Sequence, residues 1–269
     1  MAIKDITLGQ YYPGESAVHR LDPRTKILAT LLYLVSLFLV RSFTGFAFAA
    51  LCFAIVVKFS HTPFKFILKG LKPIIFIIVF TAFINLFMTP GEIIWQWRFL
   101  KLTHEGIYRA FFMAIRLILL ILGSSLLTLT TKPISLTDGL ERMMAPMAKI
   151  GLPAHELAMM MTIALRFIPT LLEETDKIMK AQSARGADFE SGNLIQRAKA
   201  LIPILVPLFV SAFRIAGDLA MAMEARCYRG GSGRTRMNAM KYSGSDAFAI
   251  LIMLAYLGLI RYARSLPLI

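Results

Sequence analysis

The chain of 269 residues has only two cysteines, without the paired C-x-x-C spacing of a metal site. Cys52 lies in an apolar run and Cys227 in a basic loop, so neither a disulfide nor a bound metal is expected. The four histidines, His19, His61, His104 and His155, are scattered, and His155-Glu156 lacks the second histidine of an H-E-x-x-H site. No G-x-x-x-x-G-K-[ST] phosphate loop occurs, so the chain is not expected to bind ATP itself. Gly123-Ser124-Ser125 falls in an apolar run with no histidine or acid in such runs to activate a serine, which argues against an intramembrane protease. Small residues there instead let helices approach closely. An enzyme is not expected. The chain shows no small-residue cleavage site after its first apolar run, and acids stand at Asp5 and Glu15, so no removable signal peptide is expected.

Charge is scarce as well, at 17% of residues against 57% hydrophobic, with mean hydropathy +0.65. These values mark an integral membrane protein. A net charge of +14 raises nucleic acid as a partner, yet the basic residues alternate in blocks with apolar runs. A positive-inside distribution across a lipid bilayer explains that pattern better, and no nucleic acid is expected.

Residues 1 to 26 carry Lys4, Arg20, Arg24 and Lys26, which keeps this end cytoplasmic, and Tyr11-Tyr12-Pro13-Gly14 reads as a turn. Ile27 to Val40 and Ser42 to Val57 form a tight membrane hairpin; both runs are short, so Lys26, Arg41 and Lys58 are expected to snorkel. Lys58, Lys65, Lys69 and Lys72 make a basic loop. Pro73 to Thr89 crosses outward, Trp95 and Trp97 anchor the next loop at the interface, and Ile107 to Thr130 returns inward. Arg116 and Asn85 lie at membrane depth. Arg116 is a functional residue, faces the bundle or reaches the outer headgroups; the sequence leaves the three open. Ala247 to Ile260 is a last span, giving five, with the N-terminus inside and the C-terminus outside.

Between the fourth and fifth spans a helix from about Ser135 to Lys149, interrupted near Pro146, leads into two long helical stretches. The first runs from Pro153 for ~45 Å with a kink at Pro169, and the second is read as comparably long despite Pro203 and Pro207. Leu157 to Leu172 and Leu201 to Phe213 are apolar apart from Arg166, whereas Glu173, Glu174, Asp176, Lys177 and Lys180 give the i,i+4 pairs of a solvated surface. A rival topology makes both apolar middles further spans. It places Arg185 and Arg226 on opposite sides of the bilayer. Methionines are frequent here, including Met143, Met147, Met159, Met160 and Met221, and suit a surface that repacks against different partners.

Each long stretch ends in one signal: Ala184-Arg185-Gly186 in the first and Ala225-Arg226-Cys227-Tyr228-Arg229-Gly230-Gly231 in the second. Arginine in a last turn sets a fixed cation against the carbonyl end of the helix, with five donors in a rigid fork. Helix-ending chemistry accounts for either alone; the pair suggests two sockets on partner proteins.

This ordered pair, set between four spans and a closing one and preceded by Asp22-Pro23-Arg24-Thr25-Lys26, resembles the transmembrane T component of energy-coupling factor transporters, over essentially the whole chain. Cys227 departs from the family pattern, in which glycine is usual. The resemblance implies an all-α membrane protein of about five transmembrane helices plus a cytoplasmic helical insert with two long crossing coupling helices. It also divides the chain into residues 1–130, 131–246 and 247–269. It implies two ABC-type ATPase subunits gripping Ala184, Arg185, Gly186, Ala225, Arg226 and Cys227, with ATP bound on those partners and no cofactor on this chain. A membrane-embedded substrate-binding S component would rest on Met159, Met160, Leu165, Leu205, Leu208 and Phe209. Hinges are expected at Gly151, Gly186, Gly192, Gly230 and Gly231. A T component shared among several vitamin-binding subunits is favoured over one dedicated to a metal ion or biotin. A self-sufficient channel or carrier using Arg116 and Asn85, and a scaffold without ATP linkage, are the competing classes.

Overall fold

The computed structural model describes residues 11–40, 42–97, 100–151, 153–187, 189, 193–230 and 240–265. Among them the chain is almost wholly helical. A single turn α1 (Ala17–Arg20) precedes α2 (Pro23–Leu39), α3 (Phe43–Ser60), α4 (Phe64–Lys69), α5 (Ile75–Met88) and α6 (His104–Thr130). Then follow α7 (Pro133–Met144), α8 (Ala154–Ala184), α9 (Leu194–Ala200), α10 (Ile202–Ala225) and α11 (Gly244–Ser265). Between α5 and α6 a two-stranded antiparallel hairpin, β1 (Ile93–Trp97) and β2 (Leu100–Thr103), pairs Trp95 with Leu102 and Trp97 with Leu100. The sequence reading had only a loop there; the tryptophan rings themselves lie outside the described residues.

Among the described residues six helices are able, by length and composition, to cross a membrane: α3, the joined α4–α5, α6, α8, α10 and α11. α2 has 17 residues, about 26 Å, and falls just short of that measure. Every apolar run expected to span is therefore helical, and α8 and α10 are apolar enough to do so too.

The described residues divide into two compact units, those within 11–139 with 240–265, and those within 140–230. In the former, α2 packs on α6 and α11. Leu37, Phe46, Ala49, Leu119, Tyr256 and Ile260 form one buried cluster, and Phe53, Ile67, Leu122, Leu126 and Leu129 a second. A side-chain carbon at Gly123 would stand 2.7 Å from the Tyr33 ring, so the small residue is what lets α6 close on α2.

Several local readings are corrected. The basic stretch after α3 is no loop: Phe64–Lys69 is helical because its apolar side brings Ile67, fully buried, against Leu122 and Leu126. Tyr11 to Gly14 is not a turn; the Tyr12 amide donates to Leu129 O at 2.9 Å, tying this segment to the end of α6. Lys26 does not snorkel. It is 7% exposed and its ammonium donates to two carbonyls of the fold, His19 O (2.9 Å) and Thr130 O (3.0 Å).

The Asp22–Lys26 stretch belongs to a polar knot that the sequence reading did not see. The Asp22 carboxylate caps α2 by accepting from the Arg24 amide (2.9 Å) and holds the Arg24 guanidinium at 2.8 and 2.9 Å. The Asp22 amide donates to Asp246 Oδ1 (2.8 Å), while the Ser243 amide donates to Asp246 Oδ2 (2.8 Å). Arg24 also lies 3.9 Å over the Tyr242 ring. The start of the first long helix is thus fastened to the start of the last.

Candidate coupling helices

α8 runs 31 residues, ~46 Å, without interruption at Pro169. The second stretch is shorter than expected. It breaks at Leu201 into α9 and a 24-residue α10 of ~36 Å. Pro203 explains the break: in the first turn of α10 its missing N–H has no partner to lose, whereas in a continuous helix its ring would strike the carbonyl four residues back.

The two helices pack on one another. On α10 the residues withdrawn from solvent, Ile204 and Ser211, stand two turns apart on one face. Its opposite face is a continuous apolar stripe at helical spacing. Ile202, Leu205, Val206, Phe209, Val210 and Phe213 are all exposed, Phe213 at 75%. Of the residues expected to meet an S component, Met160, Leu205 and Phe209 are exposed on this unit and Met159, Leu165 and Leu208 are half-buried. Ile202, Val206, Val210 and Phe213 were missed, although their spacing with Leu205 and Phe209 was the signal. At the base of α8, His155 Nδ1 meets Glu141 Oε1 at 3.1 Å, linking it to the end of α7.

At the tips, both helices end in the same hydrogen-bonded turn. At the end of α8 the Gly186 amide donates to Ser183 O (3.0 Å) and the Ala187 amide to Gln182 O (3.0 Å). At the end of α10 the Cys227 amide donates to Glu224 O (2.8 Å) and the Tyr228 amide to Met223 O (3.0 Å). This paired pattern is the Schellman motif, which needs a left-handed residue after the cap. Gly186 supplies it at φ 88° and Cys227 at φ 55°. Arg185 and Arg226 are therefore the cap residues, one position beyond the last turn in which they were expected.

All six residues, Ala184, Arg185, Gly186, Ala225, Arg226 and Cys227, are exposed, and neither cap arginine has an ion-pair partner among the described residues. Two guanidinium forks are thus exposed at turns closed by backbone hydrogen bonds, one per helix. Of the hinge candidates, Gly151 and Gly230 share the positive φ of Gly186, at 87° and 89°. Gly192 and Gly231 lie outside the described residues.

The departure at Cys227 is thus absorbed by strain. A side chain in the left-handed region costs about 1–2 kcal/mol, which glycine avoids. Cys227→Gly is expected to slow amide exchange in the last turn of α10, and Gly186→Ala to speed it in α8, each by about tenfold. Equal exchange in variant and parent would show that the caps carry no such strain.

The family profile described as "Cobalt transport protein", CbiQ, matches residues 14–237. Among curated proteins, "Energy-coupling factor transporter transmembrane protein EcfT" of Clostridium kluyveri is 61% identical over 254 residues, covering 94% of each chain. The protein of that name from Ruminiclostridium cellulolyticum is 57% identical over 95% of this chain and 96% of its own. The one from Bacillus subtilis is 49% identical over 96% of this chain and 98% of its own. Matched by that profile over most of its length and by such relatives nearly end to end, the chain belongs to the CbiQ family, as a transmembrane T component of energy-coupling factor transporters.

Proposed function

We propose that this chain is the lever of an ABC-type importer. Two ATPase subunits grip the α8 and α10 tips, and an S component that captures the cargo rests on the apolar faces behind them. The observation that carries the reading is the pair of outward arginine caps on one backbone motif. ATP is bound and hydrolysed on the partners. As they close and part, Arg185 and Arg226 follow, the angle between α8 and α10 changes, and the S component tilts and releases its cargo inward. A stiff helix transmits such motion provided the chain bends at its ends, and Gly151, Gly186 and Gly230 take backbone angles suited to that.

In this reading the protein lies in the cytoplasmic membrane with its N-terminus and both tips in the cytoplasm. Exposed Met160 and Met221 and the wide α10 stripe favour a T component shared by several S components for vitamins or other micronutrients. A dedicated metal transporter is the second reading, favoured by the family's description as cobalt transport.

Sidedness tests the proposal. Cys227 is a natural exposed thiol; with Cys52→Ser as background, Ala184→Cys supplies the other tip. A membrane-impermeant maleimide applied to whole cells is expected to label neither tip until the cells are permeabilised. Labelling at position 184 from outside would make α8 a span and end the lever reading.

A further inference from the structure

α6 carries Arg109 and Arg116 two turns apart, and both line one cavity of about 380 Å³ together with Phe38, Asn85, Tyr108 and Phe112. Arg116 Nη2 donates to Val40 O at 3.1 Å, the cap carbonyl of α2. Its guanidinium carbon stands 5.1 Å from the Phe112 ring and 5.7 Å from those of Phe38 and Phe46. Nη1 reaches only Met113 Sδ, at 3.7 Å, and Nε is buried without a partner. Arg109 is exposed and forms no ion pair among the described residues.

Among the described residues no carboxylate lines the cavity, so two cations share it with one carbonyl and aromatic faces. At membrane depth a charge without a counter-ion is costly, and the bond to Val40 O offsets only part of that cost. α2, at ~26 Å, is shorter than the ~30 Å hydrocarbon core, so its end leaves a notch beside the longer α6. Arg109 lies in the second turn of α6, so the notch is toward the end of that helix that follows the β1–β2 hairpin.

We propose that this cavity binds a phosphate-bearing anion, either the headgroup of an anionic phospholipid or free phosphate. The planar forks of Arg109 and Arg116 match phosphate oxygens in two-point fashion. The Asn85 amide, one of whose hydrogens is given to Thr81 O (2.8 Å), and the Tyr108 hydroxyl supply neutral donors. Phe38 and Phe112 wall the cavity with the apolar surface that a glycerol backbone and chain require. Arg116 then serves as a resident lipid or anion ligand and not as a conduction path. The proposal is independent of the helix tips and of the lever reading.

Thermal unfolding of the full chain, delipidated in mild detergent, tests it with two probes, phosphatidylglycerol and inorganic phosphate. Phosphatidylglycerol is expected to raise the unfolding midpoint of the parent by roughly 3 °C or more, by mass action on the folded state. The rise is expected to vanish in Arg109→Gln, whose exposed side chain is not needed for folding, and in Arg116→Gln where that variant folds. A rise with phosphate alone, lost in the same variants, identifies the free anion as the source. No rise with either probe, or an undiminished rise in Arg109→Gln, overturns the proposal.

Discussion

Arg185→Glu combined with Arg226→Glu is expected to abolish co-purification of the ATPase subunits and to bring uptake to background. Removing one partner of a buried, hydrogen-bonded charge pair costs about 2–5 kcal/mol, roughly 30- to 4,000-fold in affinity. Reversing the charge adds repulsion to that loss. With both tips changed the losses compound, because the second contact no longer benefits from the first. Each single variant keeps one grip, so partial co-purification and weaker uptake are expected. Arg→Lys at either tip should fall between parent and Glu, since an ammonium keeps the charge and loses the two-point geometry. Both tips are exposed and their turns are closed by backbone bonds, so the amount of protein in the membrane should not change. Parent-level uptake by the double variant would exclude the lever; if Arg116→Ala were then inactive, a self-contained carrier would be favoured.

The second large effect concerns stability. Asp246 is 2% exposed and accepts two backbone amides at 2.8 Å, one of them 224 residues away in sequence. Alanine there leaves the Asp22 and Ser243 amides without acceptors, at about 1–3 kcal/mol each, so a loss of roughly 2–6 kcal/mol is expected. For a chain of this size that lowers the midpoint of thermal unfolding by roughly 4–24 °C. Asp246→Asn retains one acceptor oxygen and should lose about half as much. An Asp246→Ala protein that unfolds with the parent would mean that the knot does not hold the bundle together.

The two effects mark the boundary of what local sequence reveals. Long apolar runs announce spans because a bilayer demands ~20 apolar residues in a row, and all the runs that were read as spans are helical. The end of α8 was legible because an arginine beside a glycine is a local signal, and the end of α10 because Ala225-Arg226 repeats it with Gly230 close behind. The break before α10 was available in Pro203, although this chain uses proline both inside a helix and in a first turn. The helicity of Phe64–Lys69 was hidden because lysines dominate that stretch, whereas burial of Ile67 decides it. Arg116 and Lys26 each set a charge against a carbonyl from another segment, and no periodicity encodes such a pairing. Asp246 left one trace: Ser243-x-x-Asp246 has the spacing of a capping box, which locates the start of α11 but not its bond to Asp22.

The matching turns at the ends of α8 and α10 have a consequence for assembly. Since glycine in one and cysteine in the other yield the same backbone bonds, the two prongs are alike in backbone shape and in the arginine they carry. If the motor's halves differ from each other, they must choose their prong by its neighbours. Ser183 and Gln182 flank one arginine where Glu224 and Met223 flank the other, so handedness of docking falls to an acid and a thioether against a hydroxyl and an amide.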